Sequence, residues 1–469
     1  MMIVETSPKR TDDKGNDQRA GLHEGSSSSN TQGPSPPPPY TSQTFYQPTT
    51  DVVVVVYRQS PTQRFWKAFS VAVLIWFLIA AFTTSSTEMA FNHGARLFWN
   101  GEPPHPGLQD GTVHQCISGS DWTLSDQRLN HFPHSAEVFL ELPVDSDALY
   151  LFTRGSQQSG HVDIVQSTQP TDKVGVQVRV GYHAREALDH ANVCRLERKT
   201  NENGVGILTP AFSHFPGNGQ QLRFEVKITL PAGKNRDVLH IKAFETETSN
   251  YSQDVADVWN TISFGKMSLR TSNGHVNAKS VTTEDGSIRS SNGAIKGHFN
   301  SASSLKLTTS NGPIQASVSL LNREDGTVSE LKMTTSNGKI DANVDLVTHS
   351  GHGGIFDVET HTSNGPVALE YTDMPVNSIL RSETRSSNAA MSVKLYSTFE
   401  GSFDVDTSNA AVMLKELPVE DPSGQGRRRE VTQRRERYRL RGSAYWGESK
   451  ELEGYATVKT SNGRAELVI

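Results

Sequence analysis

The sequence has few cysteines, little net charge and a modest hydrophobic content, and each shortage excludes a class of protein. Only two of its 469 residues are cysteines, so the chain is not a disulfide-rich scaffold, and the separation of Cys116 from Cys194 matches no zinc motif. A formal net charge of −6 gives no reason to expect nucleic-acid binding. A hydrophobic content of 35% suits a thin repeat protein with an additional disordered segment.

The sequence also lacks the local signatures of catalysis. It contains no nucleophile–base pairing, phosphate-binding loop or zinc signature, so we predict no catalytic, cofactor-binding or metal-binding residues. His349 and His352, with His361 nearby, are loosely spaced and have no completing carboxylate or cysteine, and we interpret them as part of a polar loop. A carbohydrate-active β-helix enzyme is the weakest alternative, suggested by acidic residues such as Asp341 and Asp345 that alternate with apolar ones.

One short motif, Thr-Ser-Asn-Gly, recurs many times along the chain, either unchanged or with small variations. Successive asparagines of these copies are 19, 19, 26, 27, 24, 21 and 53 positions apart, and Ala389 and Ala410 replace the glycine in two of them. Eight copies of the motif along one part of the chain indicate a structural repeat. The asparagines are Asn273, Asn292, Asn311, Asn337, Asn364, Asn388, Asn409 and Asn462.

Apolar residues flank each copy at fixed offsets and two positions apart, which is typical of strands with one buried face. Each repeat therefore predicts a strand, a polar corner and a second strand. The residues three positions after each asparagine are Val276, Ile295, Ile314, Ile340, Val367, Met391, Val412 and Ala465.

The corner chemistry favours an all-β parallel solenoid over a series of hairpins. Asn-Gly ordinarily suggests a type I′ hairpin, but Pro313 and Pro366 follow the glycine where a hairpin needs an N–H donor. We therefore predict a β-solenoid, similar to a β-helix, in which each coil forms hydrogen bonds with the next. Each 19-residue coil would contain three short strands. The corner asparagines would stack as an amide ladder. An antiparallel meander is the alternative.

The first part of the chain predicts a tail and a membrane anchor. Residues 1–63 are proline-rich and of low complexity, which indicates disorder, and nothing at the N-terminus resembles a cleaved signal peptide. Residues 64–85 contain an uncharged apolar stretch, Ala68 to Thr84, that is close to the minimum length of a transmembrane helix. Positive charges before this stretch predict a cytosolic tail and an extracytoplasmic C-terminal part, which is a type II single-pass arrangement.

The remaining residues divide into three predicted regions. Residues 86–135 form a connector, 136–260 a β-rich cap, and 261–469 the repeat solenoid with a basic loop over 417–445. An oxidising compartment would permit a disulfide between Cys116 and Cys194, with two free thiols as the alternative. Asn250 begins an N-glycosylation sequon in a predicted loop.

Two short motifs suggest partners. Pro37, Pro38, Pro39 and Tyr40 match the Pro-Pro-x-Tyr ligand of WW domains, which dock a preformed polyproline II segment at little entropic cost. In a cytosolic tail this motif predicts recruitment of a WW-domain ubiquitin ligase, and an inert spacer is the alternative.

The second motif is a run of arginines that includes Arg427, Arg428, Arg429, Arg434 and Arg435. Arginine pairs in an exposed lumenal loop are suited to cleavage by processing proteases. A solvated basic patch that attracts an anionic polymer or lipid is the other interpretation.

The complete layout resembles uncharacterised fungal single-pass membrane proteins whose outer domain is similar to the adhesin-like β-helix domain also found in bacteria. The Thr-Ser-Asn-Gly repeat is the most specific part of this resemblance. It implies a β-helix at a cell surface or in the secretory pathway and supplies no catalytic residues. We therefore expect a non-enzymatic protein that presents its β-solenoid to glycans or proteins, with a Golgi or endosomal trafficking protein as the alternative.

Overall fold

A computed structural model of the chain describes residues 104–210, 221–447 and 453–469. These residues form 27 strands, three short 3-10 helices (Leu108–Asp110, Gly119–Asp121 and Lys234–Arg236) and one short α-helix, α1 (Arg185–Asp189). Burial alternates residue by residue along typical strands, because one side of each strand faces the core and the other faces solvent.

The strands fall into three groups along the chain. The first eleven are β1 (Thr112–Ile117), β2 (Thr123–Ser125), β3 (His134–Pro143), β4 (Ala148–Arg154), β5 (Gln158–Gln166), β6 (Lys173–Tyr182), β7 (Asn192–Glu197), β8 (Glu202–Leu208), β9 (Leu222–Leu230), β10 (Leu239–Glu247) and β11 (Tyr251–Asp257). The central ten are β12 (Ile262–Thr271), β13 (Val276–Ser290), β14 (Ile295–Thr308), β15 (Ile314–Asn322), β16 (Val328–Thr334), β17 (Ile340–Thr348), β18 (Ile355–His361), β19 (Val367–Asp373), β20 (Ile379–Arg385) and β21 (Met391–Lys394). The last six are β22 (Gly401–Thr407), β23 (Val412–Lys415), β24 (Arg429–Arg435), β25 (Arg439–Trp446), β26 (Tyr455–Thr460) and β27 (Ala465–Val468).

The strands stack as coils in two mainly parallel layers. Layer A contains β8, β4, β10, β12, β16, β18, β20, β26 and β22, and layer B contains β9, β5, β11, β15, β17, β19, β21, β27 and β23. The long strands β13 and β14 run through both layers, with register shifts near their bends. These two strands are the 19-residue coils, for which the period suggested three short strands. From β15 onward each coil gives one strand to each layer. The all-β, mostly parallel, solenoid-like prediction is confirmed.

One hydrophobic core is made from the inward side chains of the two layers. All eight apolar positions that follow the corner asparagines are buried, and Ile314 sits in register between Ile295 and Ile340. The repeat offsets therefore predicted the buried face correctly.

Parallel stacking begins further toward the N-terminus than the predicted cap allowed. Strands β4 and β5 already pair in parallel with β10 and β11, and β8 and β9 stack on their other side. Antiparallel pairing involves β1 and β7 at the end of layer A, and β2, β3 and β6 at the end of layer B. At the N-terminal end of the stack, both layers are therefore covered by antiparallel strands.

The final coil does not lie at the end of the stack. Strand β26 pairs in parallel with both β20 and β22, and β27 pairs in parallel with both β21 and β23. The last repeat, Asn462, is thus inserted between the coils of Asn388 and Asn409. The 53-residue gap before Asn462 contains the excursion that makes this insertion possible.

The predicted basic loop over 417–445 is not a loop from Arg429 onward, where two strands, β24 and β25, occupy most of the segment. Strands β24 and β25 form an antiparallel hairpin that pairs with β22. Leu440 and Ala444 are buried on β25, so the segment follows the same alternation as other strands despite its arginines. The hairpin covers the free edge of β22, the last strand of layer A.

Candidate functional site

Each residue of the Thr-Ser-Asn-Gly corner has its own hydrogen-bonding role. At one corner, the backbone N–H of Gly312 donates to Thr309 Oγ1 (3.1 Å), and this hydroxyl donates to the carbonyl of Gly293 in the preceding coil (3.2 Å). The backbone N–H of Asn311 donates to the carbonyl of Ser291 (2.9 Å). The threonine therefore closes its own turn and also binds the neighbouring coil.

The asparagine side chains form a continuous amide ladder on the exposed edge of the stack. From the second rung onward, each Nδ2 donates to the Oδ1 of the preceding rung at 2.6–2.7 Å. Such a ladder satisfies one donor and one acceptor of each amide without water. In spatial order it comprises Asn250, Asn273, Asn292, Asn311, Asn337, Asn364, Asn388, Asn462 and Asn409.

The first rung belongs to a corner copy that the sequence pattern did not identify. Thr248, Ser249 and Asn250 repeat the corner, but Tyr251 stands where glycine stands elsewhere. The Tyr251 side chain is fully buried and its hydroxyl donates to Gln158 Oε1 (2.7 Å). Burial raises the pKa of this phenol well above its usual value. Asn250, the predicted glycosylation residue, is exposed and forms the first rung of the ladder.

The outward side of layer B forms what we call the polar face. It is the surface made by the outward side chains of β5, β11, β13, β14, β15 and β17. One row of it crosses the strands in register. The row consists of Asp163, Asp254, Asn277, Lys296, Gln315 and Asp341.

The centre of the polar face is a shallow depression of about 590 Å³. Its polar lining offers amide, ammonium, imidazole, hydroxyl and carboxylate groups. The ion pairs beside it are Lys339 with Asp341 (3.2 Å) and Lys394 with Glu370 (2.6 Å). The polar side chains that line it are Asn277, Lys279, Lys296, His298, Gln315, Ser317, Asp341 and Asn343.

Lys279 and Lys296 belong to neither of these ion pairs. Among the described residues, neither lysine lies within salt-bridge distance of a carboxylate, so their ammonium groups can donate to a ligand without first breaking such a bridge. An open surface with several such donors is suited to hydroxyl or anionic oxygens of a ligand.

A compact cluster lies at one end of the polar face, around His161 on β5. His161 Nδ1 is 2.7 Å from Ser252 Oγ, and Nε2 is 2.9 Å from Asp163 Oδ1 and 3.2 Å from Asp254 Oδ2. Asn277 Nδ2 donates to the other oxygen of Asp254 (3.0 Å) and so links the cluster to the depression. We call His161, Asp163, Ser252 and Asp254 the His161 cluster.

Sequence reasoning missed the His161 cluster because its halves are far apart in the chain. His161 and Asp163 alternate on β5, while Ser252 and Asp254 alternate on β11, and the coil of β8 and β9 intervenes in sequence. The local alternation indicates that these side chains face outward. It does not indicate which strand lies next to β5.

The two cysteines are joined in a disulfide, and their α-carbons are opposite each other in the antiparallel pair β1–β7. Cys194 is completely buried. The bond connects β1, the outermost of the antiparallel strands beyond layer A, to β7.

The arginine run is divided between packed and exposed side chains. Arg427 Nη2 lies 3.0 Å from Asp421 Oδ1, and these hydrogen bonds from the guanidinium hold the pKa of the Asp421 carboxyl well below its usual range. Arg427 and Arg429 lie 6.0 and 5.7 Å from the ring centroid of Trp446. Burial lowers the pKa of the Arg429 guanidinium.

The other arginines of the run differ in environment. The side chains of Arg428 and Arg434 are 89% and 85% exposed, whereas Arg435 donates to the carbonyl of Val412 (2.9 Å). Cleavage or anionic binding here stays a prediction. A cut after Arg429 would fall at the first residue of β24, and the released segment would include the inserted final coil.

Several predictions fall on residues that the structure does not describe. These are the tail with Pro37, Pro38, Pro39 and Tyr40, and the membrane span over 64–85. Within the described ranges, no helix combines the length and apolar character that crossing a membrane requires.

Comparison with known proteins gives limited matches. Residues 287–417, from the end of β13 to just beyond β23, match a family described as a domain of unknown function, DUF7330. No curated protein matches the chain. A crystal structure described as a "putative cell adhesion protein" from Clostridium sporogenes aligns over 71% of this chain and 99% of its own, with 9% identity and a TM-score of 0.17.

Proposed function

We propose that this protein is a non-enzymatic, single-pass membrane protein that binds glycans or proteins through its β-solenoid on the extracytoplasmic side of a membrane. The observation that carries the proposal is the depression in the polar face, where the ammonium groups of Lys279 and Lys296 lie beside amide and hydroxyl groups. These groups are displayed on a rigid scaffold of parallel strands.

The form of the polar face favours an extended ligand. Its outward positions recur in register at the spacing of adjacent strands, about 4.8 Å, so a linear polymer can meet a polar side chain at each strand along its length. The depression is open and shallow, unlike the enclosed apolar pockets typical of small-molecule sites. A hydroxyl-rich polysaccharide has the complementary chemistry, and an extended polar protein segment is the second ligand class.

The extracytoplasmic placement is supported by two features of different origin. The disulfide between Cys116 and Cys194 suits an oxidising compartment. The uncharged stretch from Ala68 to Thr84, with basic residues before it, suits a signal anchor with a cytosolic tail. A trafficking role through the tail motif at Tyr40 is compatible with this arrangement and is a second proposal.

The binding proposal can be tested with the purified full-length chain on immobilised cell-wall polysaccharides and on a glycan array. We expect the combined substitutions Lys279→Ala, Lys296→Ala and Gln315→Ala to weaken binding by about 10-fold or more, since loss of about 1.4 kcal/mol corresponds to a factor of ten. Lys266→Ala with Lys306→Ala is the control, because these exposed lysines face outward on layer A. Equal loss in both variants, or no loss in the first, would contradict a binding role of the polar face.

A further inference from the structure

We propose that the His161 cluster binds a divalent first-row metal ion such as Zn²⁺ or Mn²⁺. The ligands are His161 Nε2, Asp163 Oδ1 and Asp254 Oδ2, three atoms that all lie within 4.8 Å of one another. Imidazole nitrogen with two carboxylate oxygens suits a borderline metal ion and is a poor set for Ca²⁺, which prefers oxygen ligands alone.

The spacing of these atoms fits coordination to one ion. Zn–N and Zn–O bonds of roughly 2.0–2.2 Å place neighbouring ligand atoms about 3.3 Å apart in a tetrahedral site. His161 Nε2 is 2.9 Å from Asp163 Oδ1 and 3.2 Å from Asp254 Oδ2. Both distances from Nε2 are slightly shorter than this spacing.

The groups behind the ligands are arranged as in metal sites. His161 Nδ1 is 2.7 Å from Ser252 Oγ, so an N–H at Nδ1 can donate to that hydroxyl and leave the Nε2 lone pair for the metal. Asn277 Nδ2 donates to Asp254 Oδ1 (3.0 Å) and fixes the orientation of this carboxylate. Two of the three ligand side chains, His161 and Asp254, therefore have an outer partner that restricts their rotation.

The electrostatics of the cluster also favour a cation. Asp163 and Asp254 are directly opposite each other on adjacent strands, and like charges in this position destabilise a sheet. On the other side of β5, Glu225 is opposite His161 and Lys227 is opposite Asp163. Glu225 is itself within 3.5 Å of Arg179 Nη1. A bound divalent ion would offset the repulsion between the two aspartates.

The site would keep coordination positions open to solvent. The side chains of His161, Asp163 and Asp254 are 24%, 49% and 34% exposed. Water would fill the remaining positions. If the polar face binds a ligand as proposed above, a hydroxyl or carboxylate oxygen of that ligand could replace this water. Metal binding itself does not depend on the proposed function.

Calorimetric titration of the untagged full-length chain with Zn²⁺, Mn²⁺ and Ca²⁺ tests the proposal. We expect saturable binding of Zn²⁺ or Mn²⁺ but not of Ca²⁺. Ser252→Ala removes only an outer partner and should weaken that binding by a factor of about 10. His161→Gln, and separately Asp163→Asn, each remove a ligand and should weaken it by more than that factor. Asp163→Asn alters a half-exposed side chain and keeps the test valid if His161→Gln does not fold.

Two controls separate this site from other effects. His298→Gln removes an imidazole elsewhere on the polar face, and Asn250→Gln removes the glycosylation sequon that Ser252→Ala also destroys. Both should bind the metal as the unmodified chain does. The proposal is overturned if the unmodified chain shows no saturable Zn²⁺ or Mn²⁺ binding, or if folded His161→Gln and Asp163→Asn chains bind as tightly as it does.

Discussion

Substitution of Leu467 by alanine should destabilise the protein much more than the same change at Leu414. Leu467 lies on β27, is completely buried and is in register between Val393 and Leu414. Leu414 lies on β23 and is only partly buried. A buried Leu→Ala change costs roughly 2.7–5.0 kcal/mol because a cavity adds to the lost transfer free energy. We expect about 3 kcal/mol at Leu467 and about 1 kcal/mol at Leu414, in proportion to burial.

The comparison reports directly on the order of the coils. If the coils were stacked in sequence order, Leu414 would lie between two coils and Leu467 would lie at the end, and the ranking would reverse. Urea unfolding followed by far-UV circular dichroism measures both free energies of unfolding, provided that each variant retains a single transition. A cost at Leu414 equal to or above that at Leu467 would refute the insertion of the last coil.

Three further outcomes are expected. In urea unfolding, Ile314→Asp should lower the free energy of unfolding by several kcal/mol because it buries an unpaired charge. Gln315→Asp, on the outward side, should change it by about 0.5 kcal/mol or less. Equal effects would contradict the alternation of buried and exposed side chains along the strand. Gly312→Ala should lower the free energy of unfolding by roughly 1–3 kcal/mol, and with it the melting temperature, because the new Cβ would lie 2.0 Å from the carbonyl oxygen of Gly293. An unchanged melting temperature would argue against this close approach. Tyr40→Ala should abolish binding of a tail peptide to a WW domain, and equal affinities would reduce the motif to a spacer.

The repeat made the local structure predictable. The apolar offsets from each corner identified the buried residues, such as Ile314 and Ile340, because a strand places every second side chain on the same side. Proline after the corner glycine, as at Pro313, argued for stacked coils rather than hairpins. Both signals lie within a few residues of the feature that they predict.

The order of the coils was not predictable from the same signals. Asn462 has the same corner sequence as other rungs, and every coil offers the same backbone donors and acceptors to a neighbour. The long gap before Asn462 indicated an interruption but not the position to which the chain returns. The same limitation concealed the contact between His161 and Ser252, which depends on which coil lies next to β5.

The corner that contains Asn250 escaped recognition for a different reason. Tyr251 replaces the glycine of the pattern, and its ring is accommodated because Gly160 on β5 leaves the space that it fills. A Cβ at Gly160 would lie 2.3 Å from the ring. The exception thus depends on a compensating residue in another strand.

The most direct test of the central claim, that the β-solenoid lies on the extracytoplasmic side of a membrane, is protease protection in intact microsomes combined with endoglycosidase treatment. We expect external protease to remove the tail and to spare the β-solenoid, and endoglycosidase to shift the unmodified chain but not Asn250→Gln. A solenoid that is unglycosylated and digested by external protease would contradict the orientation and, with it, the proposed function.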